Sequence, residues 1–460
     1  MNLSRAPRLT RLYLRLEPDA VRRVEQVAAI LIAGALFLTL AAHSLAGIPS
    51  PIRRQFTLAG ENNLAVWFAS MLLFYAGLIG LVCAGVERQA AATGLHFRRD
   101  SGLTGLAWTT IALGFFFLSL NELGSLRKHL GDPAVVSLLL TEGAFPKGRA
   151  ALFAAPLLLL AGSAVWTGWK SFRTVPCVMP LMVIGVLLFL SASVRDYFEA
   201  ASGAAIRHAD IWGWPAWEVV MNEGTELLAT FCWLAAGLRF AEHRSRGIRR
   251  LDGKVGLDVG WRLPLAVIAV LGVTIAAVYL AASDLPRATD GRGIPSNWFP
   301  ATAAFLGSLL ALHLAVAETN RIGSPPGSRL ALRSLVVVNL ALSANYAANF
   351  PVYHLLDHRP ALQSGWVFAV GTGVLLTGMF AARISNSGIV AAGLLAWSLG
   401  FLLRPFFAAG SWAALFLFTQ IALLVALQAM LAERVRQKWV VQQGGTPDED
   451  AAVRLRRDTA

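Results

Sequence analysis

Residues 64–86 read LAVWFASMLLFYAGLIGLVCAGV, a run without one formal charge, and Glu87 and Arg88 follow it directly. A helix crossing the hydrocarbon core of a bilayer needs about 20 mainly apolar residues, and this run supplies them. Working outward, eleven further stretches have the same character: 24–46, 104–121, 150–168, 176–193, 216–238, 263–282, 298–318, 330–350, 364–382, 388–404 and 411–432. With 56% hydrophobic and 15% charged residues, the composition excludes a water-soluble globular protein. Inside lipid every backbone polar group must be satisfied within its own segment, which only helices and closed barrels achieve. The expected fold class is therefore all-α, a polytopic helical bundle of about twelve transmembrane helices. The stretches 150–168 and 176–193 are among the shorter ones, so a ten-span arrangement lacking that pair is the alternative.

The connections carry their basic residues unevenly. With the span-edge Arg333 and Arg404 counted in the connections they adjoin, the two tails and the even-numbered connections hold 28 of the 40 Lys and Arg, and the odd-numbered connections hold 12. Loops rich in Lys and Arg stay in the cytoplasm, so both termini are expected there. The net charge of +13 does not point to nucleic acid, because the cations flank spans. Arg5, Arg8, Arg11, Arg15, Arg22 and Arg23 precede the first, and Arg244, Arg246, Arg249, Arg250 and Lys254 separate the sixth from the seventh. That placement orients helices and meets anionic lipid head groups at the cytoplasmic face. The basic start followed by an apolar run resembles a signal peptide, but the run is too long for an h-region and reads as an uncleaved first helix. Residues 3–22 fit a basic amphipathic helix lying on the membrane.

Five regions follow: a basic segment 1–23, a six-helix half 24–238, a basic linker 239–262, a second six-helix half 263–432 and a polar tail 433–460. Two halves of six spans are a transporter pattern. Leu118-Ser119-Leu120-Asn121 and Leu342-Ser343-Ala344-Asn345 occupy equivalent places in them, a four-residue likeness that chance also explains. Cys83, Cys177 and Cys232 show no CxxC spacing and read as small buried apolar residues rather than as disulfide partners or metal ligands.

Ionisable groups within a membrane are costly and usually face a bundle interior or a wet cavity. Here they gather at the outer ends of the third, fifth and sixth spans. The third ends in Ser119, Asn121, Glu122, Ser125 and His129; the fifth in Arg195, Asp196 and Glu199; the sixth opens with Glu218, Asn222, Glu223, Thr225 and Glu226. Arg195 and Glu199 are four apart and can pair on one face. Glu218, Asn222, Thr225 and Glu226 form one stripe over two turns. For Glu218, Glu199, Glu142 and Asp210 the favoured reading is plain contact with interfacial water or a neighbouring Arg. Glu122 and Glu226 read instead as a buried polar network, structural or functional, with Arg195 as the internal counter-ion. Such carboxylates can bind a metal with His129 or His208, carry a proton through a transport cycle, or act as general acid and base. The sequence identifies neither a metal nor a cofactor. In the second half, His354 and His358 have helical metal-binding spacing, but Pro351 and Pro360 bracket them and favour a solvated loop.

The stretch Phe117-Leu118-Ser119-Leu120-Asn121-Glu122-Leu123-Gly124-Ser125-Leu126-Arg127-Lys128, with Trp217-Glu218 and Asn222-Glu223-Gly224-Thr225-Glu226-Leu227-Leu228, resembles a group of uncharacterised bacterial multi-pass membrane proteins. That group shows a Ser-Leu-Asp-Glu helix end, a His-Glu pair soon after, and a Glu-Glu-x-x-Glu start to a later helix. The resemblance implies that Glu122 matches the second acid of the first motif, and that Glu223 and Glu226 match two acids of the last. Asn121 stands where Asp is common, Arg127 and Lys128 near where His-Glu is common, and Asn222 in place of the first Glu. If the group holds a metal there, cations replace some of the ligands in this chain.

The expected function is binding and translocation of a small or lipid-linked molecule through a polar site near the outer face of a bacterial cytoplasmic (inner) membrane. Two alternatives stand beside it. One is an intramembrane enzyme, metal-assisted or not, acting on a lipid or glycan at the outer leaflet. The other is a non-catalytic subunit of a membrane complex with a membrane-protein partner.

Overall fold

A computed structural model describes residues 18–44, 56, 63–92, 98–124, 149–201, 216–252 and 298–319, with helical positions between 333 and 347. Every secondary-structure element among the described residues is a helix: α1 Pro18–Ser44, α2 Leu64–Ala92, α3 Arg98–Gly124, α4 Arg149–Arg173, α5 Val178–Ala201, α6 Ala216–Asp252 and α7 Trp298–Thr319. Three contain segments long and apolar enough to cross a membrane, namely Val21–Ala42, Leu64–Ala91 and Ser101–Leu123. Val178–Ala192 is a shorter apolar segment. The expected spans 263–282, 364–382, 388–404 and 411–432, and the region 3–17, lie outside the described residues. Residues 18–22, the end of the segment expected to form a basic amphipathic helix, are helical and open α1.

The chain forms two compact units, one of Leu14–Trp298 with Ala347–Leu355, the other of Met1–Tyr13, Phe299–Tyr346 and Leu356–Ala460. The first unit holds α1–α6. Its tightest packing joins α2 to α3, where small residues let two backbones approach. A Cβ added at Gly77 would lie 2.6 Å from the Phe116 ring, and one at Gly80 would lie 3.0 Å from the Ala112 Cβ. Ser70 meets Ser119 at one end of this pair, and Gly105 lies beside Ala84 and Glu87 near the other. The two helices are therefore antiparallel.

Named contacts set the direction of the rest. Cys83 and Glu87 of α2 meet Gly237 and Arg244 of α6, so these two run parallel. Leu36 lies beside Gly224, and Glu25 bonds Arg239, so α1 runs against α6. Thr104 near the start of α3 bonds Ser171 near the end of α4 at 2.7 Å. A tight turn at 174–177 then reverses the chain into α5, with Cys177 at φ 65°. Successive helices thus alternate in direction.

Asn63 caps α2, its side-chain oxygen accepting the Val66 N–H at 2.8 Å. At the other extreme, α6 does not stop near 238. It runs 37 residues to Asp252, through the segment 239–252 that reads in sequence as the start of a linker. At 1.5 Å per residue it is about 55 Å long, against a hydrocarbon core of about 30 Å. Residues 239–246 contain no Gly or Pro, and Arg246 pairs with Glu242 one turn back. Ion pairs to α1 and α2 hold this extension, which is why the helix outlasts its apolar stretch.

Large apolar side chains also point outward. Ile30, Leu31 and Phe37 on α1, Leu159 and Trp166 on α4, and Ile184 and Leu187 on α5 are all exposed. A soluble protein rarely exposes so much continuous apolar surface, whereas lipid accepts it. In the second unit, Thr302, Ser308 and Asn339 are buried, and the Ser343 hydroxyl donates to the Ala301 carbonyl at 2.7 Å. That bond ties α7 to the following helical segment.

Candidate functional site

α3 and α6 meet through aromatic rings rather than by close backbone packing, and those rings fix the register in which the candidate acids fall. Trp108 packs on Phe240 with ring centroids 5.2 Å apart. Seven residues further along α3 and seven back along α6, Phe115 packs on Trp233 at 5.9 Å. Seven residues make nearly two whole turns and return to almost the same face. One more step of seven reaches Glu122 on α3 and Glu226 on α6. The two acids therefore sit at one level, about 10 Å beyond the Phe115–Trp233 contact. Both are half-buried, as are Asn121 and Glu223.

Beneath Glu122 lies a saturated hydroxyl node. Ser70 and Ser119 each donate to the other's backbone carbonyl at 2.8 Å, and the Trp298 indole N–H donates to Ser119 Oγ at 2.9 Å. Ser119 is fully buried, with its proton and an acceptor site committed to helix contacts. Beneath Glu226, the buried Thr230 hydroxyl donates to the Glu226 carbonyl at 2.9 Å. The acids thus stand on a floor of satisfied polar groups and, below those, aromatic rings.

α5 ends on the same side. Phe189 packs on Phe115 at 6.3 Å, and a Cβ at Gly185 would touch the Trp233 ring at 2.6 Å. The continuing helix carries Arg195 and Glu199 toward the level of the α6 start, where Glu218 and Asn222 lie. Nothing is described of the side chains of these four residues, and His129 lies outside the described residues, as do His208, Asp210, Glu142, His354, Asp357 and His358. Half-buried acids at one level of a helical bundle are groups that can bind a cation or relay a proton. No group of three or more His, Cys, Asp and Glu with metal-binding geometry occurs among the described residues.

The opposite end of the first unit is built differently. Glu87 is completely buried and pairs with Arg244 at 2.8 Å. Ser101 faces the same carboxylate, and the Arg244 guanidinium lies 5.5 Å over the Phe240 ring. Trp108, Phe172 and Phe240 form a mutually packed trio with centroids 5.2–5.7 Å apart. Beside this, Glu25 accepts two bonds from Arg239, at 2.7 and 3.1 Å. That carboxylate raises the Arg239 guanidinium above its ordinary value, keeping it charged at any ordinary pH.

Sequence reasoning places Glu87 in a solvated connection, and the structure buries it in α2. The signal is faint: Glu87 follows Cys83 by four residues and so continues the face of α2 that meets α6. Nothing in the sequence names Arg244 as its partner. Cys83 is buried as expected, whereas Cys177 is exposed and Cys232 half-buried.

No protein-family model matches the chain, and neither does any curated protein or solved structure.

Proposed function

We propose that this chain is a multi-pass protein of a bacterial cytoplasmic membrane, with about twelve spans and both termini in the cytoplasm, that binds and translocates a small or lipid-linked molecule. The polar site lies toward the outer face, around Glu122 and Glu226. The observation that carries this reading is the shared register: the seven-residue steps that pair Trp108 with Phe240 and Phe115 with Trp233 through their rings arrive next at two half-buried acids. The apolar residues exposed on α1, α4 and α5 support the membrane environment, and the bias of Lys and Arg supports the orientation. The resemblance to uncharacterised bacterial membrane proteins supports the setting and adds no activity.

The test begins with the purified protein in detergent, screened by thermal stability against small polar metabolites, lipid-linked sugars and divalent metals. A ligand that binds only the folded state raises the midpoint in proportion to its saturation. A small or lipid-linked ligand is expected to stabilise the wild type and to lose that effect in Glu122→Gln and Glu226→Gln. Vesicles containing the protein should then accumulate that ligand. A ligand whose effect survives both substitutions, or that binds without crossing, overturns the proposal. Stoichiometric metal lost in either variant would favour the metal-assisted enzyme instead.

A further inference from the structure

We propose that the ion pairs Glu87–Arg244 and Glu25–Arg239 form a latch closing the end of the first unit opposite Glu122 and Glu226, and that its release opens the α2–α6 contact and uncovers Cys83. The proposal deepens the translocation reading and rests on it for the latch's purpose.

Both cations belong to one continuous helix, the extension of α6, five residues apart. The two acids belong to different elements, Glu25 to the start of α1 and Glu87 to the end of α2. A single displacement of the α6 extension therefore breaks both pairs together. A buried ion pair adds little net stability over apolar packing, yet losing one partner is expensive. An interaction with that profile favours two discrete states over graded loosening.

The layers below the pairs continue the closure. One turn from Glu87, the Cys83 thiol is wholly buried and donates to the Gly237 carbonyl at 3.2 Å. A Cβ at Gly237 would lie 2.8 Å from Ile79, so α2 and α6 are in direct contact there. The Trp108–Phe172–Phe240 trio stands beside this contact, with Phe240 falling between Gly237 and Arg244 along α6, and every member is buried. Ion pairs, a thiol contact and an aromatic plug thus lie together at one end. The other end presents half-buried acids. This asymmetry is that of a translocating protein closed on one side, and the basic α6 extension puts the closed side in the cytoplasm.

Cys83 is a built-in reporter, because the chain has three cysteines. The experiment uses the full-length protein in oriented membrane vesicles, with Cys177→Ser and Cys232→Ser leaving Cys83 alone, and a membrane-impermeant maleimide on the side of the α6 extension. In this background labelling should be slow. Glu87→Gln and Arg244→Gln should each speed it about tenfold or more. The exchanged pair, Glu87→Arg with Arg244→Glu, should restore protection. Unchanged labelling in a monodisperse Glu87→Gln protein overturns the latch. So does an exchanged pair that stays fully reactive, since general loosening would then explain the gain, and so does labelling confined to the other side of the membrane. Should Glu87→Gln fail to fold, Glu25→Gln provides the same test at the half-exposed pair, with an expected rise of about threefold; no rise there overturns the proposal. The readout requires no substrate. A protein that moves nothing can still show the latch, and a failed latch leaves the test at Glu122 and Glu226 untouched.

Discussion

Ser70 and Ser119 bond reciprocally, each hydroxyl donating to the other's backbone carbonyl at 2.8 Å between α2 and α3. Ser119 does more, because its oxygen also accepts the buried Trp298 indole N–H. Removing Ser70 costs one bond, about 0.6 kcal/mol on the scale measured between membrane helices. Removing Ser119 also takes away the hydroxyl that accepts the buried indole N–H, adding the loss of a second bond, about 1 kcal/mol. Ser119→Ala should therefore lower the thermal midpoint in detergent clearly more than Ser70→Ala. Equal effects would show that the indole bond adds nothing.

Glycines on one unit divide sharply by what surrounds them. Gly77→Ala forces a methyl to 2.6 Å from Phe116, a buried ring already held against Phe74. Overpacking of this kind costs about 1–3 kcal/mol. Gly102 has open space around its missing Cβ, so Gly102→Ala should be neutral or gain up to about 1 kcal/mol from helix propensity. Midpoints of the two variants measured side by side decide whether the α2–α3 approach is as close as described.

The turn between α4 and α5 places a residue with a Cβ at φ 65°, where glycine is at ease. Cys177→Gly should raise stability by about 1 kcal/mol, and Cys177→Val should lower it. A Gly variant no more stable than the parent would mean that the nearby Arg239 compensates the strain.

Charge neutralisation should separate the two ion pairs by their burial. Glu87→Gln removes one partner of a buried ion pair, a change of about 3–5 kcal/mol. Glu25→Gln acts on a pair whose Arg239 side chain is 42% exposed, and should cost below about 1 kcal/mol. Raising salt should weaken the second pair and spare the first. Chemical denaturation of both variants at low and high salt gives the comparison.

The seam makes a distance prediction. In a chain whose native cysteines are replaced by Ser, Glu122→Cys with Glu226→Cys should be joined rapidly by a short bis-maleimide. The control, Glu122→Cys with Leu228→Cys, puts the second thiol on an exposed, off-seam position and should react slowly. Equal rates would refute the register read from Trp108, Phe115, Trp233 and Phe240.

Among the described residues, helix positions were legible because lipid demands length and low charge: 64–86 announces α2 without reference to any partner. Helix ends were less so. Glu87 looks like the first residue of a loop because a charge normally ends a span. Only the fold supplies Arg244, 157 residues later, that lets the charge stay inside. The same holds for 239–252, whose helical state depends on anchors in α1 and α2. The candidate acids stood out by type and depth. That Glu122 and Glu226 share a level could not be read, since it depends on the register of two helices whose apolar surfaces carry no sequence mark of their crossing. The aromatic steps of seven on α3 and α6 become meaningful only once the helices are known to touch.

The length and unbroken extent of α6 have a mechanical consequence. Gly185 lets Trp233 press closely against α5, and this crossing can serve as a fulcrum. Glu226 lies about 10 Å to one side of it and Arg244 about 16 Å to the other. Tilting such a rod by about 10° carries the two ends roughly 2 Å and 3 Å in opposite directions. A displacement of that size at the charged end would be enough to pull a guanidinium off its carboxylate, and it would move the acid at the far end relative to α3 in the same stroke.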